Sequence, residues 1–82
     1  MSGETSAIER QVRELILLVL KVPADKYAAL LRADVAEWDS LKHMELVFAL
    51  EDRFGVEFRE DEFAKLDSPS SIVAKIRARR AA

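Results

Sequence analysis

The 82-residue sequence predicts an all-α fold: a small four-helix bundle with three longer helices, a short third helix and a long loop between the first two. Three observations carry that expectation. Apolar residues recur at helical spacing in three stretches, cap and breaker residues bound those stretches, and no segment alternates as a strand would.

In chain order, Met1 to Thr5 reads as a frayed lead-in. Ser6 followed by Glu9 has the form of a capping box. Ile8, Val12, Leu15, Ile16 and Val19 then fall on one helical stripe, so the first helix is expected from about Ala7 to Leu20. Leu17, Leu18 and Leu20 widen that stripe, as a helix packed against two neighbours requires. Pro23 ends the helix or follows closely on its end, and roughly eighteen residues connect it to the next. Tyr27, Leu30, Leu31, Val35 and Trp38 supply apolar anchors for an ordered loop with one helical turn around Ala28 to Leu31.

Asp39 is a good N-cap and Gly55 a good helix stop, which places the second helix at about Ser40 to Phe54. Glu60 to Leu66 reads as a short third helix with acids in its first turn. Ser68 before Pro69 gives a cap followed by proline at the first helical position. The fourth helix is expected from Pro69 to Arg79, burying Ile72, Val73 and Ile76. One domain over residues 1–82 follows, with an ordered bundle at about 7–79.

Half of the residues are apolar and 34% are charged, a globular composition. With no cysteine there is no disulfide, thiolate metal site or cysteine nucleophile. Leu15 to Leu20 is the longest apolar run and is too short to span a membrane. Glu4 and Glu9 stand where a signal peptide would be basic, so a soluble, cytoplasmic monomer is expected. From Asp34 to Asp67 there are eleven acids and four bases, a net charge of −7. That excess argues against nucleic acid and favours partners with basic docking surfaces. The later bases Lys75, Arg77, Arg79 and Arg80 suit the end of a helix dipole.

On a wheel of the second helix, Leu46, Val47, Leu50 and Phe54 form one apolar arc that should face the core. Leu41, Met44 and Phe48 form a second arc, bordered by Glu45, Glu51 and Asp52. This arc is either a broader core face or an apolar strip with an acidic rim on which a basic partner docks. Ser40 begins the helix directly after Asp39. It is either an ordinary first-turn serine or a hydroxyl whose phosphate ester the helix amides and dipole would stabilise. His43 falls at the rim of the core arc, where packing is the simplest role. The carboxylate pairs Glu51-Asp52 and Asp61-Glu62 read as solvated faces, no metal-ligand spacing occurs, and no nucleophile–base pair is evident.

The motif Asp39-Ser40-Leu41, followed by Glu45-Leu46-Val47, Ala49-Leu50-Glu51 and Phe54, resembles the acyl carrier proteins and their peptidyl and aminoacyl relatives. The resemblance covers nearly the whole chain, including the long first loop and short third helix. It implies a carrier with no catalytic residues and no metal of its own, bearing 4′-phosphopantetheine on Ser40 and holding acyl or aminoacyl groups as thioesters. It also implies as partners a phosphopantetheinyl transferase and acyl- or aminoacyl-loading and processing enzymes. Asp39 would cap the helix beside the phosphate, and Leu41, Met44, Glu45, Phe48, Glu51 and Asp52 would meet those enzymes. Glu37 stands where many members carry glycine before the serine and Trp38 fills the next position, a pattern similar to stand-alone carriers of specialised pathways or to D-alanyl carriers. An unmodified helical interaction module is the reading from another class.

Overall fold

The computed structural model describes residues 3–81, and the side chains of residues 6–80. Ile8, Val12, Leu15, Ile16 and Leu20 lie along one stripe of α1 (Gly3–Leu20), and all five are buried. Helix α1 is the hub: it packs against both α2 (Ser40–Phe54) and α4 (Pro69–Ala81), which explains its wide apolar face. The short α3 (Glu60–Phe63) completes an all-helical bundle. The core joins α1 residues to Leu46, Val47, Leu50 and Phe54 of α2, Leu66, and Ile72 and Ile76 of α4. Removing one such side chain, as in Leu46→Ala, costs about 2–5 kcal/mol, a large part of what a chain this small can hold.

Helix α1 starts earlier than the sequence reading expects. Ser6 lies inside the helix and is not its cap, and Gly3 to Thr5 are helical; Met1 and Ser2 lie outside the described residues. No proline precedes Ser6, and Glu4 is an acid where the helix dipole favours one. The helix ends at Lys21, which takes a left-handed φ of 58° and donates its N–H to the Leu17 carbonyl at 3.0 Å. Proline 23 lies beyond a stop that has already been made.

The loop is ordered, but its helical turns are not where the sequence placed one. They are two 3-10 turns, Ala24–Ala29 and Arg32–Asp34. Leu30 and Leu31 between them are extended, because the chain there swings Leu30 into the core at 3% exposure. Leu31 consequently points outward and does not anchor the loop. The Arg32 N–H donates to the Asp67 carbonyl at 2.9 Å and ties the loop to the α3–α4 connection.

Asp39 caps α2 as expected, its Oδ1 accepting the Lys42 N–H at 2.8 Å. Gly55 ends the helix at φ 65°. The Glu51 carbonyl accepts the N–H groups of Gly55 and Val56, and its carboxylate accepts that of Phe58 at 2.8 Å, so Glu51 shapes the whole turn out of α2. Helix α3 stops at Phe63, short of the expected Leu66. Lys65 and Leu66 instead donate to the Glu62 and Phe63 carbonyls, tightening the last turn.

Glu62 corrects the solvated-face reading of the Asp61-Glu62 pair. It is 8% exposed, and its carboxylate accepts the Arg59 N–H at 2.8 Å, pairs with Lys75 Nζ at 3.4 Å and hydrogen-bonds Arg79. Two of the bases near the C-terminus therefore clamp α4 to α3. Ser68 Oγ accepts the Ser71 N–H at 3.2 Å, the cap expected for α4.

The two helix stops can be compared directly. Space around the Gly55 Cα is open, so only backbone strain opposes a side chain there, and Gly55→Ala should cost about 1 kcal/mol. Lys21→Gly should cost nothing, because it relieves the same strain at α1. Urea unfolding of both variants checks this, and equal losses would contradict it.

Candidate functional site

The first turn of α2 is set by its cap. Asp39 holds the Lys42 amide, and the amides of Ser40 and Leu41, in the first turn, have no acceptor within the helix. Ser40 is exposed. An exposed hydroxyl, free amides and the positive end of a helix dipole together fit a phosphate ester at this position.

What holds this turn in place is a buried relay beneath it. The Trp38 Nε1–H donates to His43 Nδ1 at 2.9 Å. The other ring nitrogen, Nε2, lies 2.7 Å from the Phe63 carbonyl. Because Nδ1 accepts, the proton sits on Nε2 and is donated to Phe63, so His43 is neutral. Trp38 and His43 are 2% and 4% exposed, and their rings tilt against one another with centroids 6.0 Å apart. One imidazole thus joins the loop, α2 and α3. Burial is the main force lowering the His43 pKa, and Arg32 adds to it, while the Phe63 bond and Asp67 oppose it.

The second arc of α2 is a surface and not a wider core. Leu41 and Phe48 are 68% and 59% exposed, and Met44 is half-buried between them. Glu45 and Asp52 are exposed at its border; Glu45 pairs with Lys42 at 3.4 Å, an exposed pair that contributes little. Glu51 is half-buried, one of its oxygens held by the Phe58 amide. Ser40, Leu41, Met44, Glu45, Phe48 and Asp52 therefore share one accessible side of the helix, with Glu51 partly withdrawn.

Two structural contributors escaped the sequence reading. The Trp38–His43 bond carried no signal beyond their five-residue separation, and Glu62 looked like its neighbours Glu60 and Asp61. Among the described residues no group of three or more metal-ligating side chains converges. No described helix is long and apolar enough to cross a membrane.

Residues 10–76 match the family model described as the phosphopantetheine attachment site, so fold and site define a carrier of that prosthetic group. The chain is 39% identical over 70 residues to acyl carrier protein 3 of Ralstonia nicotianae, a match covering 83% of this chain and 79% of that one. It is 38% identical over 73 residues to the acyl carrier protein of Akkermansia muciniphila, covering 87% and 90% respectively. No solved structure gives a significant match. The chain belongs to the acyl carrier protein family, and its cofactor is 4′-phosphopantetheine.

His43 and Glu62 both bear on acid stability. His43 resists protonation in the fold, so its contribution is complete above the ordinary value of 6.5 and declines as pH falls below it. Arg79, then the Arg59 amide, then Lys75 hold Glu62 down from 4.5 to about 2, so its contribution is present above 4.5 and is lost as pH falls toward 2. Thermal midpoints by circular dichroism should therefore fall in two stages between pH 7 and pH 2. His43→Gln should remove the upper stage. A wild-type midpoint that stays flat from pH 7 to pH 5 would contradict a neutral, buried His43.

Proposed function

We propose that Ser40 bears the prosthetic group, and that this chain works as a single carrier domain and a monomer, with no catalytic residue of its own. Exposure of the Ser40 hydroxyl at the capped start of α2 is the observation that carries this reading. In loading, the serine oxygen forms a bond to phosphorus, a phosphoanhydride bond of coenzyme A breaks, and the nucleotide half departs. The seryl proton passes to a base on a phosphopantetheinyl transferase. Asp39 holds the helix start rigid and keeps a carboxylate beside the new phosphate, where it can assist a metal ion of the transferase. When bound, the group supplies a terminal thiol that holds an acyl cargo as a thioester, which is why a chain without cysteine can do this work.

The accessible side of α2 is the docking surface in this reading. Leu41, Met44 and Phe48 supply apolar anchors, and Glu45, Asp52 and the remaining oxygen of Glu51 steer basic enzymes into register. The partners are acyl-loading and processing enzymes of the cytoplasm.

Incubation with coenzyme A and a promiscuous phosphopantetheinyl transferase should add the mass of one phosphopantetheine to the protein and none to Ser40→Ala. A gain that survives Ser40→Ala would overturn the assignment. Phe48→Ala should lower kcat/KM for loading about tenfold, the equivalent of ~1.4 kcal/mol of docking. Its thermal midpoint should stay unchanged because the ring is exposed. Loading at the wild-type rate would remove Phe48 from the interface.

A further inference from the structure

A groove of about 880 Å³ lies between α1, the first 3-10 turn of the loop and the start of α4. Ala28, Ala29 and Ala74 line it with short side chains, which leaves an opening where three elements meet. Tyr27 and Val73, both half-buried, give it an apolar floor, and Leu31, 47% exposed, adds an outward apolar surface. No residue of α2 lines it.

Its rim is basic. Arg10, Arg13 and Arg77 line it against one acid, Glu9. All three arginines are exposed, and none forms an ion pair among the described residues. Arg10 and Arg13 stand three residues apart and so share one face of α1. The Arg13 guanidinium lies over the Tyr27 ring, 5.7 Å from its centroid, which holds that charge at the groove. On α4, Lys75 and Arg79 turn toward Glu62, whereas Arg77, two residues from each, falls on the other face. The wider chain repeats this division. Residues 34–67 carry a net charge of −7, and the remainder holds nine bases and four acids, a net charge of +5.

We propose that this groove is a second docking surface, and that its partner is an acidic, amphipathic protein segment. An apolar ridge of that segment lies on Tyr27 and Val73, and carboxylates beside the ridge meet Arg10, Arg13 and Arg77. Two physical arguments select this chemistry. An exposed charge contributes little by itself, so a partner that is merely anionic gains too little from three solvated arginines and must also cover the apolar floor. Arginine and tyrosine are the side chains that most often anchor protein interfaces, and an arginine already stacked on a ring loses less freedom when it binds. The sign of the groove is opposite to that of the α2 strip, so the two surfaces select different partners. Because no α2 residue lines the groove, a segment held there leaves Ser40 open to its own enzymes, and this surface works independently of attachment at Ser40.

The test titrates isotopically labelled protein with a synthetic amphipathic helix of leucine and glutamate, and with the same peptide carrying lysine for glutamate, and follows amide chemical shifts. The glutamate peptide should bind saturably and shift the Ala28, Ala29, Ser70 and Ala74 amides, while those of Leu41 and Phe48 stay unmoved. Arg13→Glu and Arg77→Glu should each raise its Kd about fivefold, and together about twentyfold. Lys65→Glu makes the same change of charge outside the groove and should leave Kd within about twofold. All three substituted side chains are exposed, so thermal midpoints by circular dichroism should stay unchanged. Saturating peptide should leave kcat/KM for loading of Ser40 as it is. The proposal is overturned by a glutamate peptide that does not shift the groove amides, or by a lysine peptide that shifts them equally. It is also overturned if Lys65→Glu weakens binding as much as Arg13→Glu does, or if the peptide blocks loading. Binding to phosphatidylglycerol vesicles through the same arginines, without binding of the peptide, would put a membrane surface in place of a protein and overturn it too. A protein that binds the peptide in the groove but gains no phosphopantetheine supports the groove and overturns the Ser40 assignment alone.

Discussion

A single neutral imidazole, accepting from one residue and donating to another, holds together the three elements that surround the start of α2. His43 belongs to α2, its acceptor contact reaches the loop at Trp38, and its donor contact reaches α3 at Phe63. A four-residue helix such as α3 is unstable in isolation, so it depends on contacts of this kind to hold its place. Satisfying both ring nitrogens in a dry site converts what would be a costly burial into a directional joint. The geometry around Ser40 depends on that joint, since Trp38 leads directly into the Asp39 cap.

The acids of this protein divide into three kinds of work that their number alone conceals. Asp39 and Glu51 bind backbone amides at the two ends of α2, one fixing its start and the other its exit turn. Glu62 pairs with Lys75 and Arg79, so charges from α3 and α4 compensate one another at the partly exposed rim of the bundle. Glu45 and Asp52 remain exposed beside Leu41 and Phe48. The net acidity of the middle of the chain is therefore partly structural, and only part of it is available to steer a partner.

A rigid attachment point and a mobile arm make complementary demands on this fold. The turn bearing Ser40 is capped and backed by the relay, while its hydroxyl and the apolar strip of α2 stay accessible.

Most of the architecture was legible in the sequence, because helix periodicity and capping are local. The stripe of α1, the bounds of α2 at Asp39 and Gly55, and the Ser68-Pro69 start of α4 all rest on residues within a turn or two of one another. The exposed strip of α2 was half legible: a helical wheel separated Leu41, Met44 and Phe48 from the core arc, but only the packed bundle decided that they face outward. The position of the loop turns and the taper of α3 depended on where neighbouring elements drew Leu30 and Leu66. The buried pairing of Glu62 and the Trp38–His43–Phe63 relay were invisible for the same reason. A hydrogen bond between side chains on different elements is set by three-dimensional proximity, which no local spacing encodes. The sequence by itself determined that a capped helix begins at Ser40; tertiary packing decided what stands behind that serine and which surfaces lie open beside it.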